Sequence, residues 1–259
     1  MSKSKGLLTA TVLMIGLLLA SCTNGGNGNS SASPTGGSPE AASSGSVSSE
    51  ASQAEGAPKE GGTLIVGLSG DPLSFNPDGV GDDYLYPIAQ NVFNRLVKIN
   101  YNQQVIPDLA KSWDVSDDGL QYTFHLQENA KWHDGEPFTS ADVKFTLEAI
   151  KSNDGLAVTF LQAISAIETP DDHTVVLKLS QPDAALIGYL AWYGTFILPE
   201  HIYATGDWAA GTSAAPIGTG PFKFADYSTG VSVTLEKNPD YFGQVPHVDK
   251  LIFSIITDP

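Results

Sequence analysis

The strictest hydrophobic pattern in the chain is a period of two between Leu120 and Leu126, where apolar and polar residues alternate without exception. Trp113 and Val115 alternate with polar neighbours in the same way, and the turn sequence Asp117-Asp118-Gly119 separates the two runs. Alternation on both sides of a short turn is typical of an antiparallel hairpin with one solvated face. We therefore predict a hairpin here.

A second turn and a helix follow this hairpin directly. The turn sequence is His133-Asp134-Gly135-Glu136-Pro137, and Thr139-Ser140-Ala141-Asp142 after it matches a capping box. In such a box Thr139 caps the backbone and Asp142 reaches back to it. Val143, Leu147 and Ile150 then form the apolar stripe of a helix. The stretch 105–145 thus predicts one rigid unit of hairpin, turn and capped helix.

The remaining patterns predict a mixed α/β protein. Residues 61–68 (GGTLIVGL) predict a core strand, and a loop rich in Pro, Gly and Asp follows at 70–83. The spacing of apolar residues predicts a helix over 84–96, capped by Asp82 or Asp83, with Pro87 in its first turn. Further predictions are a turn at 170–172, strands at 173–179, 231–237 and 251–256, a helix at 183–193 capped by Asp183, a rigid crossing at 218–221 and a turn at 238–241.

The N-terminus has the features of an export signal. Lys3 and Lys5 precede an uncharged apolar run at 6–20, which is shorter than a membrane span. Leu19-Ala20-Ser21-Cys22 resembles a bacterial lipobox, which implies cleavage before Cys22, the only cysteine of the chain, and lipid attachment to its sulfur. We therefore predict a lipoprotein signal peptide at 1–21 and lipidation at Cys22.

Residues 22–59 are predicted to be a disordered linker after the lipidated cysteine. Ser, Gly, Ala, Asn and Pro dominate this stretch, and such a composition cannot offset the entropy of ordering. As a Gly/Ser coil it would span on the order of 35 Å, root mean square. The expected picture is a folded domain tethered to a membrane by its lipid.

Net charge excludes some partners. Loss of Lys3 and Lys5 with the signal leaves 11 of the 13 basic residues against 29 acidic ones, a net charge of −18. Nucleic acid is therefore excluded as a partner, because phosphate binding needs the opposite sign. Anionic headgroups would also repel this surface, so membrane contact must come from the lipid.

Motifs for catalysis or metal binding are missing from the sequence. The five histidines form no HExxH pair, and no serine lies in a GxSxG motif. The Gly-rich segment 218–221 lacks the Lys-Ser/Thr of a phosphate-binding loop. We predict no catalytic residue, no metal ligand and no cofactor. A metal-dependent secreted hydrolase remains the alternative of another class, and it would require the distant histidines to converge.

Four blocks of residues resemble one known family. They are GGTLIVG with SFNP (74–77), NVFNRLV (91–97), the long block 107–145, and IGTGPFKF with NPDYFG (238–243). From Gly61 to Pro259 the chain resembles the family 5 extracellular solute-binding proteins, which are peptide and nickel receptors of ABC importers. Gln127 departs from the pattern, since the family usually carries Arg or Lys there.

This resemblance implies a periplasmic-binding-protein-like α/β fold. It further implies that 60–95 and 181–259 form the first lobe, that 96–180 is an inserted β-rich subdomain, and that the second lobe is absent. We accordingly expect the chain to be a truncated product that by itself binds ligand weakly or not at all. The resemblance also implies a monomer that is exported and lipid-anchored to the outer face of the cytoplasmic membrane, or periplasmic.

The implied function is capture of oligopeptides or dipeptides and their delivery to ABC transporter permease subunits. The resemblance implies that the loop of Gly81, Asp82, Asp83 and Tyr84 contacts the ligand. The acidic pair in this loop could bind a peptide ammonium group. The competing interpretation is that the two acids only cap the following helix. Trp192 and Tyr193 either line the cleft or pack inside the protein. Nickel, oligosaccharides and signalling peptides are alternative ligands within the same fold.

Overall fold

The computed structural model describes residues 58–205, 208 and 215–256. The predicted signal segment, Cys22 and the predicted linker up to residue 57 lie outside these residues. Within the part that is described, no helix is long and apolar enough to cross a membrane. The predicted mixed α/β class is confirmed, because the described elements are ten strands and four short to medium helices.

The first of two four-stranded sheets joins the two ends of the described chain. Its strands are β1 (Thr63–Leu68), β8 (Phe222–Ser228), β9 (Ser232–Lys237) and β10 (Lys250–Ile255), in the order β1-β10-β9-β8. β1 runs parallel to β10, whereas the other neighbours are antiparallel. The predicted strands at 231–237 and 251–256 are confirmed to within one residue.

The prediction of a core strand at 61–68 is wrong about its burial. β1 is a strand, but it lies at the edge of its sheet, and the side chains of Leu64 and Ile65 are 51% and 65% exposed. Leu68 alone in this strand is buried. Apolar composition could not distinguish the two positions, because strand preference depends on the packing around a strand, which the local sequence does not show.

The second sheet contains the predicted hairpin. It is formed by β4 (Ala110–Val115), β5 (Gln121–Leu126), β6 (Ile164–Asp171) and β7 (Thr174–Leu179), in the order β4-β5-β7-β6 and antiparallel throughout. β4 and β5 pair with Trp113 opposite Phe124, so the hairpin is confirmed. A small separate hairpin joins β2 (Val97–Ile99) to β3 (Val105–Pro107).

Strand β6 was not predicted. Its sequence, ISAIETPD, mixes acidic residues and Pro170 with few apolar ones, which weakens the strand pattern. The turn predicted at 170–172 is correspondingly misplaced, because Pro170 and Asp171 end β6 and the chain reverses at Asp172 and His173.

The helix after the hairpin is confirmed together with its cap. α2 spans Ser140–Ser152, and both hydrogen bonds of the Thr139–Asp142 capping box are present. The predicted stripe of Val143, Leu147 and Ile150 is completely buried. Asp142 does more than cap, because its carboxylate also accepts hydrogen bonds from the Trp132 indole at 3.3 Å and the Glu200 amide at 3.0 Å. The cap therefore fixes two neighbouring segments to the helix start.

The other helices are shorter than their patterns predicted. α1 spans Tyr86–Val92 instead of 84–96, with Pro87 in its first turn as predicted. α3 spans Leu186–Tyr189 instead of 183–193. The hydroxyl of Thr195 donates to the carbonyls of Tyr189 and Trp192, and the chain then reverses at Gly194 (φ 92°). α4 (Glu200–Tyr203), which was not predicted, and a 3₁₀ turn at Val158–Leu161 complete the list.

Each four-stranded sheet has its own hydrophobic cluster. Phe124, Leu147 and Val175 lie in the cluster of the second sheet, whereas Phe93 and Val233 lie in that of the first. Leu186 and Leu190 of the α3 segment belong to the cluster of the second sheet, and Phe196 and Leu198, a few residues later, to that of the first. The segment 186–198 thus contributes to both cores. The predicted division at residues 96 and 180 stays a prediction.

Candidate functional site

Asp82 organises the loop that the sequence singled out for ligand contact. Its carboxylate is only 4% exposed and accepts backbone N–H groups from Leu73 at 2.6 Å, Tyr84 at 2.9 Å and Leu85 at 3.2 Å. Three such bonds satisfy a buried carboxylate. Asp82 therefore closes the loop on itself and precedes α1, although the helix cap itself is Leu85.

The neighbours of Asp82 face outward. Gly81, Asp83 and Tyr84 are exposed, and the Tyr84 side chain is 37% exposed. A side chain at Gly81 would approach Leu156 to 3.7 Å, so the loop lies against the start of the 3₁₀ segment. The four predicted loop residues thus divide into one buried organiser and three exposed positions.

Tyr193 connects this loop to the segment after α3. Its hydroxyl accepts the amide N–H of Asp82 at 2.9 Å and donates to the carbonyl of Asp82 at 3.0 Å. Burial raises the pKa of Tyr193, which keeps the hydroxyl protonated and able to donate. Trp192 beside it is 45% exposed. The structure therefore brings both predicted aromatic residues next to the loop, one as a clamp and one at the surface.

Two buried charges that sequence reasoning missed support this arrangement. Arg95 lies 3.8 Å from the ring centroid of Phe196 and donates from Nε to the Trp192 carbonyl at 2.9 Å. Asp78 is completely buried and accepts the Phe196 amide at 3.0 Å. Burial lowers the pKa of Arg95 and raises that of Asp78 well above its usual value. One feature of the sequence could have indicated the buried Arg95, namely its position between the apolar residues Val92 and Leu96.

A row of aromatic rings continues from the loop across the surface. Tyr86 meets Tyr193 at 4.8 Å between centroids, Tyr193 meets Trp192 at 6.5 Å, and Trp192 meets Phe160 at 5.3 Å. Phe160 in turn meets Tyr189 at 4.7 Å. Beyond Trp192 the row borders an open cavity of about 490 Å³, which is within the usual size range of ligand pockets.

Four of the five histidines have side-chain partners within the described residues, whereas Nδ1 of His173 is buried without a hydrogen bond. His125 contacts Asp114, His201 contacts Asp134, and His247 contacts Glu60, all near the surface. His133 is partly buried and spans Gly218 and Gly220 through its two ring nitrogens. Among the residues that the structure covers, no three His, Cys, Asp or Glu side chains are close enough to hold a metal ion.

The predicted crossing at 218–221 makes close backbone contacts with the end of α1. The amide of Gly220 donates to the carbonyl of Val92 at 2.8 Å. A Cβ atom at Gly218 would lie 1.9 Å from the same oxygen, and one at Gly220 would lie 2.5 Å from the Asn91 carbonyl. Only glycine permits this approach.

Comparison with known proteins gives one consistent result. The family model described as bacterial extracellular solute-binding proteins, family 5 Middle, matches residues 104–259. A putative ABC transporter peptide-binding protein of Brucella ovis is 40% identical, over 76% of this chain and 38% of its own length. The chain thus spans about two fifths of the curated relatives that it matches.

Solved structures of similar fold carry different ligands. The oligopeptide-binding protein AppA of Bacillus subtilis, in complex with a nonapeptide, has a TM-score of 0.69 and 32% identity, covering 77% of this chain and 41% of AppA. NikZ of Campylobacter jejuni, in complex with Ni(L-His), has a TM-score of 0.70 and 31% identity, covering 76% of this chain and 40% of NikZ.

Proposed function

Because the chain belongs to the family 5 bacterial extracellular solute-binding proteins, we propose that it captures oligopeptides or dipeptides outside the cell and delivers them to an ABC importer. The family match covers more than half of the chain. The Brucella ovis relative is named a peptide-binding protein, and AppA was solved with a peptide. The proposal concerns the complete protein, since this chain spans only part of its relatives.

The observation that carries the proposal is a fixed loop with an exposed acid at its tip. Asp82 and the Tyr193 hydroxyl hold the loop backbone, so the exposed Asp83 follows directly on a fixed support. A rigid support lowers the entropy lost on binding. Asp83, with Gly81 and Tyr84 beside it, is the group that we assign to the ammonium of a peptide, and Asp82 acts as its positioning residue.

Delivery to a permease requires the protein to stay close to the membrane. We assign this to a lipid on Cys22 after cleavage of residues 1–21, with the following linker as a tether. The partners in this proposal are the ligand, the ABC permease subunits and the membrane reached through the lipid. Neither catalysis nor a cofactor takes part, because solute-binding proteins capture and release their ligand unchanged.

Amide chemical shifts of the isotope-labelled 259-residue chain test the proposal, because they detect even millimolar binding. Ala-Ala-Ala should shift the amides of residues 81–84, and N-acetyl-Ala-Ala-Ala should shift them much less, because acetylation removes the ammonium group. Asp83→Asn should reduce the response to Ala-Ala-Ala, whereas Asp117→Asn, in an exposed turn elsewhere, should not. Absence of any shift with the free tripeptide would refute the assignment of residues 81–84 to the peptide ammonium group.

The same experiment distinguishes a peptide ligand from the main alternative, a nickel chelate. The similarity to NikZ, solved with Ni(L-His), makes chelated nickel the second candidate ligand. Addition of Ni(L-His)₂ or aqueous Ni²⁺, both octahedral and paramagnetic, should leave residues 81–84 unaffected under the peptide proposal. Localised shifts or broadening at these residues with nickel, together with silence toward peptides, would replace the peptide by a nickel chelate.

A further inference from the structure

The cavity beyond Trp192 is apolar on every side. Residues from three separate segments surround its space of about 490 Å³, and none of them is charged. Phe160, Tyr189 and Trp192 supply aromatic walls, Val105 and Ile187 supply branched aliphatic ones, and the small residues Ala184, Ala185 and Gly188 lie between them. Small residues in the lining leave room for a guest instead of filling it.

Two neighbouring aromatic residues, Trp192 and Tyr193, connect this cavity to the loop assigned to ligand capture. The Trp192 ring packs edge-on against Phe160 (85° between ring planes) on the cavity side. On its other side Trp192 meets Tyr193, whose hydroxyl is bonded to the backbone of Asp82. A ligand held at the loop would reach the cavity by crossing Tyr193 and Trp192.

We infer that this cavity is a subsite for one large apolar side chain of the peptide, with a preference for an aromatic ring. The inference rests on the proposed function and adds a specificity to it. Phe160 and Tyr189 lie 4.7 Å apart at an angle of 31°, and Phe160 stands nearly perpendicular to Trp192. An inserted ring would meet both ring faces and ring edges, the geometries that aromatic pairs favour. A charged side chain would meet no partner there.

The cavity also remains open in the folded chain. The Trp192 side chain is 45% exposed although it borders apolar residues, and a Cβ atom added at Gly188 would meet no atom within 4 Å. Gly188 has a helical backbone conformation without positive φ, so larger residues fit there without strain. The position thus offers a way to fill the subsite without disturbing the core.

Peptides that differ in one side chain test the inference on the 259-residue chain. Ala-Ala-Ala, Phe-Ala-Ala, Ala-Phe-Ala and Ala-Ala-Phe are titrated, and amide shifts give their affinities. One of the three Phe peptides should bind about 10-fold more tightly than Ala-Ala-Ala, because burial of an aromatic side chain contributes at least that factor. Nuclear Overhauser contacts from its ring to the Val105 and Ile187 methyl groups should appear in the unmodified protein.

Variants that fill the cavity supply the matched comparison. Ala184→Leu and Gly188→Leu should each reduce the preference for the Phe peptide to less than about 3-fold and leave Ala-Ala-Ala binding unchanged. Ala225→Leu makes the same change on the exposed surface of β8 and should keep the full preference. The ring contacts in the unmodified protein decide the question even if a filling variant does not fold.

The outcomes separate this inference from the proposed function. Equal affinity for all four peptides, with shifts at residues 81–84, would overturn the subsite and leave peptide capture intact. If no peptide binds, N-acetyl-phenylalanine amide is titrated instead. Shifts confined to the cavity would then overturn peptide capture and the peptide subsite but show an apolar small-molecule site. The absence of shifts, or shifts that survive both filling variants, would overturn the cavity as a site.

Discussion

His133 makes the stability of this protein depend on pH in a defined direction. Its Nε2–H donates to the carbonyl of Gly220 at 3.0 Å, and its Nδ1 accepts the amide N–H of Gly218 at 3.2 Å. Only the neutral ring can make both bonds. Burial lowers the pKa of His133 from 6.5 to about 4; Lys223 acts in the same direction, and Asp134 opposes it.

The size of the effect follows from this difference in pKa. Above pH 6.5 the ring is neutral in both states, so the stabilisation is fully present. Below pH 6.5 the unfolded chain binds a proton that the folded chain does not bind until about pH 4. The free energy of unfolding should therefore fall as the pH decreases from 6.5 to 4, by about 3 kcal/mol at most.

Replacement of His133 by Gln isolates this contribution, because an amide can donate and accept but does not titrate. Urea unfolding of both proteins, followed by tryptophan fluorescence between pH 7 and 4.5, gives two free-energy curves. Their difference removes the background of the carboxylates, and His247→Gln controls for loss of an exposed imidazole. The unmodified protein should lose up to about 3 kcal/mol relative to the variant. A difference constant within about 0.5 kcal/mol would refute the reasoning.

Three further predictions use the same urea assay. Gly220→Ala should destabilise by at least about 2 kcal/mol, whereas Gly188→Ala should be neutral or slightly stabilising; equal midpoints would contradict the close backbone approach at residue 220. Asp82→Ala should cost about 2–4 kcal/mol because three backbone N–H groups, one of them buried, lose their acceptor, whereas Asp83→Ala should stay within about 0.5 kcal/mol. Asp142→Ala should cost about 2–3 kcal/mol, with the exposed Glu148→Ala as control; an unchanged midpoint would show that its cap is dispensable.

The sequence predicted best those elements whose determinants are local. The β4–β5 hairpin depends on alternation and one turn, and the start of α2 depends on four consecutive residues. Elements defined by distant contacts were predicted less well. α3 ends early because the Thr195 hydroxyl binds the carbonyls of Tyr189 and Trp192. β1 lies at an edge because, among the described strands, it pairs on one side only, with β10. Periodicity carries no information about either contact.

The candidate site shows the same division. Family likeness indicated residues 81–84, but the local sequence could not say which acid faces outward. The answer depends on Leu73 across the loop and on Tyr193, which is 111 residues away from Asp82. Arg95 and Asp78 were missed because their partners, Trp192 and Phe196, are equally distant in sequence. Side-chain chemistry was readable from the sequence, whereas side-chain direction was not.

The parallel pairing of β1 with β10 has a consequence for the order in which the chain folds. Thr63 pairs with Lys250, so the first sheet closes a very long loop, whereas the strands of the second sheet all lie between residues 110 and 179. Loop closure slows the formation of distant pairings. The second sheet can therefore form while the chain is still being synthesised, and β1 must remain unpaired until residue 250 has emerged. β1 is therefore expected to pair later than the strands of the second sheet.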